Sequence, residues 1–305
     1  MAGLQVLPGG KPFFYCPKGP MILGEAPIYR ASDSTLHWVD CLADPCELYI
    51  LKVDPETGDA LPGPDSLRIL KLEDSVTVQF FRRNHPGSYI AAYYQGVCFL
   101  DELTGKMEIV KEIIPTEKRD ELRFNDGGID AKGRFWLAEI DKVAMAYGPN
   151  RLPATYGRPK GKLWRREADD GDIVYFHDSV AMLVYAFDFD LESGNISNKR
   201  VLIDRRDSFG EPDGMVVDTD GNLWIAMFDS NRVMVFSPQG VHLKDITFTA
   251  RNPACTTWGG KNWDIIFLAS GKWRGQRQID GDEGGHMFKF KPGDARGQAK
   301  YEFAG

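Results

Sequence analysis

Three short segments set acids or amides beside strand and turn signals: Gly24-Glu25-Ala26-Pro27, Arg123-Phe124-Asn125-Asp126-Gly127 and Glu211-Pro212-Asp213-Gly214-Met215. Carboxylates brought from separate strands onto one point do one of two things. They ligate a hard cation, or they work as an acid/base pair. The competing role is to cap turns, but acids left unpaired in a pocket are costly.

The elements that must position these side chains are read from an internal repeat. Asp130-Ala131-Lys132-Gly133-Arg134-Phe135-Trp136-Leu137-Ala138 recurs as Asp218-Thr219-Asp220-Gly221-Asn222-Leu223-Trp224-Ile225-Ala226. Both read Asp-x-x-Gly-x-apolar-Trp-apolar-Ala, a tight turn that needs Gly followed by a strand expected to be buried on both faces. The copies lie 88 residues apart, twice a beat of 44. Several strands per 40 to 50 residues is the mark of propeller blades, whose innermost strands line a channel and reach a ligand-collecting face.

Weaker echoes keep the same beat. Thr35-Leu36-His37-Trp38-Val39-Asp40 and Asp264-Ile265-Ile266-Phe267-Leu268-Ala269 read as further inner strands. Gly96 to Asp101, Val184 to Asp190, Val233 to Pro238 and His286 to Pro292 read as strands that enter or leave hairpins. No segment carries a 3.6-residue apolar period, so helix content should be low. Residues 140–161 and 273–285 break the beat as long polar loops rich in Gly or Pro, the first a candidate lid. The expectation is one all-β propeller domain spanning residues 1–305.

Composition narrows the function classes. With 43% hydrophobic and 27% charged residues among 305, the chain is an ordinary globular one. A net charge of −7 and only short Lys/Arg pairs argue against nucleic acid as a partner. No apolar run is long enough to span a membrane, and the first 20 residues lack a signal-peptide core, so no membrane is expected either. Five scattered cysteines make no zinc pattern and suit a reducing cytosol, which places the chain in the cytoplasm with a small molecule as its partner.

Taken together, these motifs resemble the regucalcin/gluconolactonase (senescence-marker-protein) family along nearly the whole chain. The carriers are Gly24 to Pro27, Leu36-His37-Trp38-Val39-Asp40, Arg123 to Gly127 followed by Asp130 to Trp136, Pro212 to Met215 with its Trp224 strand, and the terminal Phe303-Ala304-Gly305. The resemblance implies a six-bladed β-propeller and, in many members, metal-dependent lactone hydrolysis. It implies that Glu25 and Asp213 match two carboxylate metal ligands, and that Arg123 and Asn125 match residues holding substrate oxygens. A third, neutral Asn ligand belongs between the strands matching Lys162-Leu163-Trp164 and Val174 to Ser179. Only Arg165 to Ile173 lie there, with no Asn among them, so one blade is expected to be shortened and the metal site weak or vestigial. A replacement ligand or substrate contact would come from Glu139, His177 or Asp178, and Trp258 is a candidate pocket wall.

Three functions follow in order of preference. The first is a propeller repurposed for metal-free dehydration, isomerisation or cyclisation (of hetero-Diels–Alder type) of a natural-product intermediate, with Arg123 holding an oxygen and Glu25 or Asp213 moving a proton. No cofactor is then expected. The alternative is a lactonase using calcium or zinc to polarise the carbonyl and activate water. The third is a binding propeller without chemistry.

Overall fold

The computed structural model describes residues 4–148, 151–156, 161–165, 173–275 and 279–305. The chain divides into two compact units, one made of Met1–Lys71 with Phe209–Ala299 and the other of Leu72–Ser208 with Lys300–Gly305. The first unit opens with β1 (Gln5–Gly10), followed by β2 (Gly24–Arg30), β3 (Thr35–Asp40), β4 (Glu47–Lys52) and β5 (Leu67–Lys71). The second unit supplies β6 (Val76–Phe81), β7 (Ser88–Tyr93), β8 (Gly96–Asp101), β9 (Met107–Glu112), β10 (Leu122–Ile129) and β11 (Phe135–Asp141). It continues with a short helix α1 (Lys142–Tyr147), then β12 (Leu163–Arg165), β13 (Ile173–Asp178), β14 (Leu183–Asp190) and β15 (Asn195–Asp204). The chain returns to the first unit with β16 (Glu211–Val217), β17 (Leu223–Phe228), β18 (Arg232–Phe236), β19 (His242–Phe248), β20 (Asn252–Gly259), β21 (Ile265–Gly271) and β22 (Met287–Phe290).

These strands form small antiparallel meanders: β2 to β5, β16 to β19 extended by β1, and β20 to β22 in the first unit; β6 to β9, β10 to β12 and β13 to β15 in the second. β1 joins parallel to β19, and Phe14 bridges Met287, so the N-terminal segment adds an outer edge to two sheets of its unit. The fold is all-β, of the propeller class and nearly helix-free, and no helix of the described residues is long and apolar enough to cross a membrane.

Five blades are present rather than the six expected. The reason lies in the first strands. β2, β6, β10, β16 and β20 each slip register against their second strand, between Glu25 and Ile28, Val76 and Val78, Phe124 and Gly127, Pro212 and Met215, and Pro253 and Cys255. β13 pairs with β14 without any such slip, so the sheet β13 to β15 lacks the bulged innermost strand of a blade. The connection from β12 to β13 is too short for an outer and an inner strand of five to six residues each. The shortened blade is therefore consistent with the sequence; the gap it reflects, residues 166–172, lies outside the described residues.

Two strand readings change. β3 and β21 are second strands, not innermost ones. β17 is buried on both faces as expected, whereas β11 alternates buried and half-buried positions. The 140–161 stretch holds the end of β11, α1 and a single 3₁₀ turn at Ala154–Tyr156. Asp141 caps α1 by accepting from Ala144 N at 3.0 Å and pins the segment by accepting from Tyr156 Oη at 2.9 Å. Residues 149–150, 157–160 and 276–278 of the two expected loops lie outside the described residues.

Candidate functional site

The three segments singled out by residue type all fall on bulged first strands. A bulge inserts extra residues that re-aim a side chain and end pairing locally. Glu25 is the last paired residue before the slip in β2, and Ala26 after it takes a left-handed backbone (φ 52°). The register of β16 skips Asp213 and Gly214, and that of β10 skips Asn125 and Asp126. Sequence thus placed chemistry at bulges without predicting a bulge: the signal was an acid or amide next to Gly or Pro.

In the first unit, β2 and β16 both pack against β20. Gly214 permits the closer approach, because a Cβ there would lie 2.6 Å from Cys255 Cα. Glu25 and Asp213 are half-buried. Glu211, also half-buried, has its carboxyl pushed up to about 7, by burial first and then by the charge of Asp229. On β20, Asn252 Oδ1 and Thr256 Oγ1 are buried without a hydrogen-bond partner among the described residues.

In the second unit, Arg123 is buried on β10 and donates from Nη1 to Phe124 O at 3.3 Å. Asp126 accepts from Gly127 N at 2.7 Å, yet burial holds its carboxyl above the usual carboxylate range. Glu139 is buried on β11 opposite Phe124, and His177 lies half-buried on β13 opposite Val184. The sites therefore divide: Glu25, Asp213 and Trp258 belong to the first unit, and Arg123, Asn125, Glu139, His177 and Asp178 to the second.

Trp258 is corrected outright. It is 2% exposed, donates Nε1–H to Val217 O at 3.0 Å and packs edge-on against Trp224 at 5.4 Å between ring centres. It is core, not pocket wall. His37 and His242 are satisfied sheet residues: His37 lies 2.7 Å from Thr35 Oγ1, and His242 2.7 Å from Asp245 Oδ1. Burial holds His37 well below the usual imidazole range.

The donor set fits a resident metal poorly. Calcium takes six to eight oxygens and catalytic zinc three protein ligands. Glu25 and Asp213 are two carboxylates, and among the described residues no group of three or more His, Cys, Asp or Glu is placed to hold an ion.

Residues 23–272 match the family described as SMP-30/Gluconolactonase/LRE-like region. Regucalcin of Danio rerio is 28% identical over 264 residues, covering 81% of this chain and 82% of its own. A 6-deoxy-6-sulfogluconolactonase of Pseudomonas putida is 28% identical over 262 residues, covering 83% and 84%. Among solved structures, a calcium-binding protein, regucalcin, from Agrobacterium tumefaciens superposes with a TM-score of 0.78 at 18% identity, covering 98% of this chain and 99% of that one. That likeness bears on the fold alone.

Proposed function

The chain belongs to the SMP-30/gluconolactonase/LRE-like family, and from that premise we propose that it is a lactone hydrolase. Family relatives named as lactonases support hydrolysis, whereas the dehydration, isomerisation or cyclisation preferred from the sequence finds no support among them. The observation that carries the reading is the placement of Glu25 and Asp213. Both are half-buried carboxylates at register breaks of first strands, and both strands pack on β20.

The chemistry needs little more. Water adds to the lactone carbonyl carbon while a carboxylate accepts its proton, and the ring C–O bond then breaks as the ring oxygen is protonated, leaving a hydroxy acid. Asp213, at the bulge of β16, is assigned as the base; Glu25 is assigned to orient the water. Arg123 and Asn125 remain proposed as oxygen holders on their own unit.

Hydrolysis of D-glucono-1,5-lactone and of an aryl lactone by purified protein, followed by acid release, tests the reading. Asp213→Asn should lower kcat by about a hundredfold or more, the low end of positioned acid/base catalysis, with no loss of thermal stability. Turnover should persist in excess chelator. Loss in chelator with recovery on adding calcium or zinc would make the two carboxylates metal ligands, and no hydrolysis of either lactone would end the proposal.

A further inference from the structure

Just ahead of Asp213, the first unit carries a cluster that none of this chemistry uses. Arg251, immediately before β20, lies with its guanidinium carbon 4.6 Å from the ring centre of Phe209 and 5.9 Å from that of Trp273. Asp229 fixes it by accepting from Nε at 2.6 Å, and Asp282 Oδ1 accepts from its backbone N–H at 2.6 Å. Neither Nη nitrogen donates a hydrogen bond among the described residues, and the side chain is 26% exposed. Phe209 is 56% exposed. Trp273 is seated by Gly275, where a Cβ would lie 2.1 Å from the indole Cζ2.

Two close approaches fix where this cluster stands. Gly214 abuts Cys255, and Phe209 abuts Arg251, so the leading ends of β16 and β20 lie together. Phe209 precedes Asp213 by four residues, roughly 13 Å of extended chain, which is within the length of a substituted lactone.

The charges select the ligand. Asp229 offsets Arg251, and Asp282 accepts from its backbone N–H, so the guanidinium is not left as an uncompensated charge for an anion. A neutral oxygen is what the unspent Nη donors suit, and an exposed aromatic face suits a planar unsaturated group.

We propose that Arg251, Phe209 and Trp273 form a recognition platform for a neutral lactone bearing a planar unsaturated group, such as an aryl ring. The group stacks on the aromatic faces and Arg251 donates to the substrate's oxygen. This rests on the lactonase reading and names its substrate class. Arg251 is a specificity residue rather than a catalytic one.

The test uses two probes, dihydrocoumarin and D-glucono-1,5-lactone, on the whole chain. The native protein should favour dihydrocoumarin in kcat/KM. Phe209→Ala should raise KM for it about five- to tenfold, as loss of one aromatic contact does, with kcat and both constants for gluconolactone within about twofold. Arg251→Lys, which keeps the charge opposite Asp229, should act the same way. Preference for gluconolactone, or equal effects of the variants on both probes, overturns the platform while leaving a lactonase. If neither probe is hydrolysed the lactonase reading falls, and dihydrocoumarin binding read by tryptophan fluorescence decides the platform separately. Saturable quenching that Trp273→Phe and Phe209→Ala both weaken sustains it, and absence of quenching ends it.

Discussion

The hairpins β10–β11 and β16–β17 are one design loaded with two chemistries. From Arg123 onward the cross-strand pairs of the first recur 88 residues on in the second: Arg123 with Ile140 and Glu211 with Phe228, Phe124 with Glu139 and Pro212 with Met227, Gly127 with Leu137 and Met215 with Ile225. At the far end, Asp130 and Asp218 build the same turn. Each Oδ1 accepts from the backbone N–H two and four residues on, and each Oδ2 from a tryptophan Nε1 at 2.9 Å. The contents diverge where the backbone does not. Where the first hairpin has a buried guanidinium at 123, Asn125 and Arg134, the second has a carboxyl at 211, an acid at 213 and an amide at 222. Bulge and turn set the scaffold, and the side chains carried on it differ in charge.

The turn offers the sharpest way to break this equivalence. Arg134 is 1% exposed, pairs through Nε with Asp130 at 2.6 Å and donates from Nη2 to Leu191 O at 3.0 Å. Asn222 makes the matching contact, from Nδ2 to Asp218 at 3.0 Å, without a charge. Removing one partner of a buried ion pair costs about 3–5 kcal/mol, against about 1–3 for stranding neutral donors. Asp130→Ala should therefore destabilise clearly more than Asp218→Ala in urea unfolding. Equal losses would mean that Arg134 finds another anion or reaches water, and the charge difference would be inconsequential.

This pattern also explains what could be read in advance. The Asp-x-x-Gly-x-apolar-Trp repeat was visible because three local requirements coincide: a side-chain acceptor, a glycine at positive φ (86° at Gly133, 81° at Gly221) and an indole N–H in reach. The strands Thr35–Asp40 and Gly96–Asp101 were legible to the residue for a similar reason, being short buried runs ended by acids. Strand rank was not, since β3 and β21 are as apolar as any inner strand. Glu25, Asn125 and Asp213 announced themselves by type, but the bulges at which they lie are a two-strand property that one segment cannot display. Arg251, Phe209 and Trp273 are contributed by segments 22 or more residues apart in number, so no local motif marks them.

The other end of the hairpins sharpens the comparison through pH. Glu211 has a folded pKa near 7, above its ordinary 4.5, so the fold favours its neutral form. That contribution is complete below about 4.5 and is lost as pH rises through 7, amounting to about 1–3 kcal/mol for this half-buried group. Glu211→Gln should match the native chain in stability at pH 4 and exceed it at pH 8. Arg123, its counterpart on β10, stays charged throughout, so Arg123→Met should shift stability by a similar amount at both pH values. A pH-independent effect at Glu211 would remove the contrast.

The smallest expected difference concerns the two turn glycines. Both require positive φ, where a Cβ costs about 1–2 kcal/mol. At Gly221 the added methyl would meet only Pro238 Cγ at 3.1 Å, a ring edge that can yield. At Gly133 it would meet Ala304 Cβ at 2.6 Å and the backbone Ala304 N at 2.7 Å. That segment is held in turn, with Ala304 N–H donating to Gly133 O at 3.2 Å and Phe303 exchanging hydrogen bonds with Phe81 and Arg83. Gly133→Ala should thus cost about 1 kcal/mol more than Gly221→Ala, the low end of overpacking penalties. In chains shortened to end at Phe303 the two substitutions should cost the same, because the extra obstacle is gone. A gap that survives the truncation would place the difference in the turn itself, and the two turns would no longer count as one design.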